Sequence, residues 1–234
     1  MAQSDVDHIK EEISDTFDDH VSGSPASTSS MFPTSKIGGK LYEAHVLSRV
    51  CEKLASVENF DLHLSHGNKV RLKSSPGQIN RSYPCIQLRD PGGSGIEAEM
   101  WSDVEFVGLS YQLRGGYPSQ ADRSDWHELD ILVTDTGLAD GSRPKHSGIW
   151  LGVECKYRDF SKGFLKEMLG VRRQMSYIKQ ASYDTKFDHW PDDTVTESPS
   201  SCLLLYCRDQ KIDSYTEAPE QFDIRMIHSS LPTP

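Results

Sequence analysis

Asp130, Glu154 and Lys156 are the residues whose types and spacing could carry a reaction. They lie on two apolar runs, His127-Glu128-Leu129-Asp130-Ile131-Leu132-Val133-Thr134-Asp135 and Gly148-Ile149-Trp150-Leu151-Gly152-Val153-Glu154-Cys155-Lys156-Tyr157. Both runs are rich in branched residues and read as strands. Side chains alternate between the two faces of a strand. Glu154 and Lys156 therefore share one face, and Ile149, Leu151, Val153 and Cys155 take the other. On the first arm Glu128 and Asp130 share a face, opposite Leu129, Ile131 and Val133. Pairing the arms as a hairpin with both apolar faces on one core gathers two carboxylates and one ammonium on the far side. Hard divalent cations are held by such carboxylates. A lysine beside them is a compact cation that can stabilise developing negative charge. The same three groups could also form a plain ion pair at a sheet end. Ionic groups that continue a buried strand are costly unless they coordinate or pair.

The elements that must position these residues follow from the apolar pattern. Lys40 to Val57 carries Leu41, Ala44, Val46, Leu47, Val50, Cys51 and Leu54 at helical spacing, with Glu43 near its first turn. Glu43 there either complements the helix dipole or points at the site. Lys69 to Lys73 and Val104 to Leu109 read as short strands, and Thr136 to Ser147 reads as the hairpin loop. Ser161 can cap a helix running to about Ser182. Cys202 to Cys207 is an uninterrupted apolar strand, as expected for one buried on both faces, and Phe222 to Ile227 is a last strand.

Of the formal charge of −10, residues 1–35 carry −6, with seven acidic side chains against Lys10 alone. Ser22 to Ser30 is rich in Ser, Gly, Pro and Thr. Residues 1–35 are thus expected to be a disordered acidic tail, within which 5–20 can form a short helix, and 36–234 a single domain. The remaining charge is only mildly acidic, without the strong basic excess of a non-specific nucleic-acid binder. The five cysteines form no Cys-x-x-Cys pair, and no leader precedes them, which fits free thiols and a cytoplasmic location. No apolar run approaches the ~20 residues of a membrane-spanning helix. The nine histidines show no zinc spacing. Gly92-Gly93-Ser94-Gly95 lacks the lysine of a phosphate-binding loop, and no Gly-x-Ser-x-Gly elbow is present.

An aspartate strand, then Glu154-Cys155-Lys156 on the next strand, then a helix resembles the PD-(D/E)xK nuclease superfamily over about residues 40–208. Leu129 stands where the family often has proline. The resemblance implies an α/β, restriction-endonuclease-like core: a central mixed sheet flanked by helices, in the order helix, three strands, helix, strand, with insertions at 74–125. It implies a Mg2+- or Mn2+-dependent nuclease that hydrolyses phosphodiester bonds in DNA, an endonuclease of defence, restriction or repair, with RNA not separated from DNA. Metal ligands would be Asp130, Glu154, the backbone carbonyl of Cys155 and the acidic helix residue Glu43. Glu128 is an alternative ligand. Lys156 would orient water and stabilise phosphorane charge, and Gln174 on the following helix would contact the metal site or substrate. Lys162, Lys166, Arg172, Arg173 and Lys179, with Lys145 and His146 in the hairpin loop, would meet phosphates. A partner protein supplying targeting and a dimer both fit this scheme. The rival expectation is a catalytically silent, nuclease-like subunit that binds DNA or another protein.

Overall fold

The protein is described by a computed structural model over residues 3–23, 37–67, 69–93, 95–116, 121–184, 186–190 and 194–232. Its elements run α1 (Gln3–His20), β1 (Val21–Ser22), α2 (Ile37–Ser56), β2 (Asp61–Ser65), β3 (Cys85–Arg89), β4 (Ala98–Val107), α3 (Leu109–Leu113), β5 (Trp126–Asp135), β6 (Ile149–Lys156), α4 (Lys162–Met175), β7 (Tyr177–Asp184), β8 (Thr194–Ser198), β9 (Cys202–Cys207), α5 (Glu217–Glu220) and β10 (Ile224–His228). One mixed sheet of eight strands has the order β1-β2-β3-β4-β5-β6-β9-β10, and β7 and β8 form a separate antiparallel pair. Strands β2 to β6 pair with one another antiparallel in sequence order, and β1 runs parallel to β2. Strand β9 runs parallel to both β6 and β10. The chain is therefore α/β with helices on a mixed sheet, but the sheet is larger than four core strands.

Both faces of the sheet are covered. Helices α1 and α2 lie over one face, where Leu41, Val50, Leu54, Met100, Ile131, Val133, Leu151, Val153 and Leu204 share a core. Helix α4 covers the other, where Phe164 and Met168 meet Trp101, Phe106, Leu129, Leu132, Leu203 and Leu205. Strand β9 serves both cores by alternation: Cys202, Leu204 and Tyr206 face the first, and Leu203, Leu205 and Cys207 the second. Gly152 in β6 sits where a Cβ would lie 2.8 Å from Leu129 Cδ1, so a larger residue there would force that leucine to shift. All five cysteines are free thiols. No helix among the described residues is long and apolar enough to cross a membrane.

Three expectations change. The short helix allowed at 5–20 is present as Gln3–His20, but it is packed into the fold and is not part of a disordered tail, while 24–36 lie outside the described residues. Val6, Ile9, Ile13 and Phe17 recur at helical spacing and are buried in the first core, so the acidic side chains are the outer face of an amphipathic helix. Phe17→Ala should cost roughly 3–5 kcal/mol; an unchanged urea midpoint would show that the helix adds nothing to the fold. Second, the helix after Lys156 stops at Met175, and residues from Tyr177 pair with β8 instead of continuing it to Ser182. Arg172 explains the stop: it is buried and donates to Ser201 O and Oγ at 3.0 and 3.2 Å, which ties the last turn to the entry of β9. Third, the apolar side of the charged hairpin is not one core. Leu129 belongs to the second cluster and Ile131 and Val133 to the first; Ile149 is likewise divided from Leu151 and Val153.

Candidate metal centre at the parting of two strands

The change of face on β5 occurs at Asp130, and the same change occurs beside it on β4. Met100 faces the first core, whereas Val104 and Phe106 face the second. The ladder pairs Ser102 with Ile131 and Val104 with Leu129, which leaves Asp103 and Asp130 between those rungs. Asp103 has φ 48°, a left-handed conformation that aspartate tolerates better than most side chains. On the other side, the pairing of β5 with β6 ends at Ile131 and Val153. Beyond it the Cys155 N–H donates to Asp130 Oδ2 at 2.7 Å. A carboxylate thus replaces the ladder where the strands separate, and its second oxygen remains for other partners.

Helix α2 delivers the next groups. Lys40 and Glu43 are one turn apart and so share a face. Lys40 donates to Glu43 and, at 2.6 Å, to Asp103 Oδ1. Ligand oxygens of Glu43, Asp103 and Asp130 all lie within 4.8 Å of one another. Two oxygens bound to one ion at 2.0–2.6 Å can be at most about 5 Å apart, so the three can share an ion. They border an open cleft of about 550 Å³ that Gly38, Gly39, Ser74, Ser75, Pro76 and Glu128 also line. Glu154 and Lys156 stand next to this group at the end of β6. Lys156 donates to Glu154 Oε2 at 3.1 Å and to Glu167 Oε1 on α4 at 2.8 Å.

Burial here outweighs the available cations. Burial first, then Asp130, pushes Glu154 up to about 8 against the pull of Lys156. Burial and Asp130 likewise push Glu43 up to about 8 despite Lys40. Asp130 rises to about 6, mainly by burial, although the Cys155 N–H favours its charged form. Burial lowers Lys40, but Glu43 and Asp103 raise it by more. Lys156 is raised too, the carboxylates overcoming burial, so it stays an ammonium at neutral pH. In the fold, Glu43 and Glu154 hold protons that the unfolded chain releases, so stability is greatest below about 4.5 for these groups and declines until about 8. His45, lowered to about 4 by burial, opposes this only in acid, below its ordinary 6.5. Chelator-treated protein should therefore melt lower at pH 8.5 than at pH 6, and Mn2+ should remove the difference. An equal or higher melting temperature at pH 8.5 without metal would contradict this.

The predicted residues divide as follows. Asp130 and Glu43 meet. Glu154 and Lys156 are adjacent but outside the carboxylate trio, whose third member is Asp103. Cys155 presents its N–H to Asp130. Glu128 lines the cleft without joining the trio. Gln174 is engaged at helix α3. It lies in the last turn of α4, and its Oε1 accepts from Ser110 N at 3.1 Å. Helix α3 lacks a side-chain cap at Gly108, so Gln174 supplies one from outside. A Cβ on Gly108 would lie 2.5 Å from that oxygen, so glycine there lets Gln174 approach closely. Arg172 is an internal anchor, not a phosphate contact, and His146 is buried. Lys162, Lys166 and Arg173 are exposed, and the Lys179 side chain lies outside the described residues. Asp103 and Lys40 were missed. Their signals were a lone aspartate where apolar parity shifts between Met100 and Val104, and a Lys-x-x-Glu step on an apolar helix. No family model, curated protein or solved structure matches the chain.

Proposed function

We propose that this protein is a divalent-metal-dependent nuclease of the restriction-endonuclease-like type, acting on DNA as an endonuclease in defence, restriction or repair. The observation that carries this reading is the convergence of Glu43, Asp103 and Asp130 within 4.8 Å, on three different elements, beside Glu154 and Lys156. The donor set is all oxygen, which suits Mg2+ or Mn2+ and not a soft metal. A bound ion would supply neutralisation of phosphate charge and acidify water. Asp130, held by the Cys155 N–H, fixes one ligand oxygen on the sheet, while Glu43 and Asp103 present theirs from α2 and β4. Lys156 remains charged, so its part is to hold the attacking water and stabilise negative charge on phosphorus, not to accept a proton. Glu154 and Glu167 fix the position of its ammonium.

One observation favours a second reading, a catalytically silent nuclease-like subunit. Lys40 already bonds two of the three carboxylates, as a permanent internal cation would. The purified protein decides between them. With Mg2+ or Mn2+ it should nick supercoiled plasmid DNA, EDTA should stop this, and Glu154→Ala and Lys156→Ala should each abolish it with the circular dichroism spectrum retained. Full activity in both variants would place the chemistry elsewhere, and no cleavage of DNA or RNA with either ion would favour the silent subunit.

A further inference from the structure

The charge of this chain is unevenly distributed along the cleft. Residues 62–89 contain Lys69, Arg71, Lys73, Arg81 and Arg89 and no aspartate or glutamate. This stretch carries +5 in a chain of −10, so all other residues together carry −15. It leads directly to the candidate metal centre. Ser74, Ser75 and Pro76 line the same cleft as Glu43, Asp103 and Asp130. The segment is fastened there by Gly77 N to Asp103 O at 3.2 Å and Glu105 N to Gly77 O at 2.9 Å. Lys73 is buried and donates to Gln78 O at 3.0 Å and Asp103 O at 3.4 Å, which folds the loop back onto β4.

Upstream of this anchor the chain forms neither helix nor strand. Val70 and Leu72 are buried in the first core, while Lys69 is half-buried and Arg71 exposed. Arg71 lies over the Tyr83 ring, 5.2 Å from its centroid, which holds the guanidinium in place. Arg71 is two residues, at most about 7 Å of chain, from Lys73. Arg81 and Arg89 have internal partners, Glu99 and Gln87, so the charge left for a ligand is that of Lys69 and Arg71.

We infer that this strap is the nucleic-acid-binding lip of the cleft: Lys69 and Arg71 take the phosphate backbone of the substrate strand and Ser74 and Ser75 receive it at the carboxylates. The inference rests on the nuclease reading for the identity of the ligand. Its physical basis is the contrast in charge. A polyanion is repelled by an acidic surface and steered to basic stretches that lack carboxylates, of which residues 62–89 carry the most positive charge. Contacts of this kind set position without reading sequence.

The test uses binding in EDTA, where no cleavage occurs. A short fluorescein-labelled DNA duplex is titrated with wild type, with Lys69→Ala/Arg71→Ala, and with a charge-matched control, Lys10→Ala/Lys53→Ala. Lys53 is ten residues, about 15 Å of helix, beyond Glu43. The strap variant should bind at least about tenfold more weakly, and its salt dependence should fall by about 0.9 per lost contact, about 1.8 in all. The control should stay within about twofold of wild type. Equal losses in both doubles, no loss in the strap variant, or no salt-dependent binding by wild type would overturn the inference. The two readings separate cleanly. Strap-dependent binding by a protein that never cleaves supports the lip and removes the nuclease; cleavage by a protein whose strap variant binds normally does the reverse.

Discussion

Asp130→Asn should lower metal-dependent cleavage of DNA roughly 1000-fold, about 4 kcal/mol of transition-state stabilisation, while leaving the protein folded. Asparagine keeps an oxygen that can accept from the Cys155 N–H, so the parting of β5 and β6 is preserved. What is lost is the negative oxygen shared with Glu43 and Asp103. The melting temperature without metal should hold or rise, because the substitution removes a buried charge that already lies among like charges. The gain in melting temperature on adding Mn2+ should shrink with the activity. Plasmid nicking and thermal melting on one preparation test both parts. Wild-type cleavage by Asp130→Asn would exclude this carboxylate from the chemistry.

Lys40→Met should have the opposite pattern. The ammonium is buried and bonded to Glu43 and Asp103, and methionine keeps much of its length without the charge. Removing one partner of a buried ion pair leaves the other uncompensated, at a cost on the order of 3 kcal/mol. For a chain of this size that is a fall of roughly 10 °C in melting temperature. Divalent metal should restore the loss, and the increase on adding Mn2+ should exceed that of wild type, because an ion then supplies the missing positive charge. This result separates the two functional readings. In a silent subunit whose cluster serves only to pair Lys40, Mn2+ would leave the melting temperature of the variant low.

The charged hairpin was legible because its signal is local. Period-two alternation with Glu154 and Lys156 at the end of a branched run places both on one side of a strand whatever else the chain does. Glu43 was legible for the same reason, through helical spacing. Asp103 was not, since its role depends on a register that sets it beside Asp130 and on a left-handed residue that moves β4 from one core to the other. Helix α1 shows how composition misleads. Seven acidic side chains suggested a solvated tail, yet Val6, Ile9, Ile13 and Phe17 form a stripe whose stability needs α2 to cover it. Gln174 shows what spacing leaves out. Its sequence position suited the site, but α4 carries it to α3.

The sequence by itself determined β5, β6 and β9, the helix that begins near Lys40 and the two carboxylates and lysine of the hairpin, because each rests on the spacing of neighbouring side chains; β2 and β3 were not legible in it, and Lys69 to Lys73 forms no strand. Tertiary structure decided which carboxylates meet. Burial brought Asp103, Glu43 and Asp130 to one point with too few cations to balance them, and raised two glutamates toward neutrality. Electrostatic cost at that point depends on distance and desolvation across elements that are far apart in the chain, and neither is encoded in the spacing of any one of them.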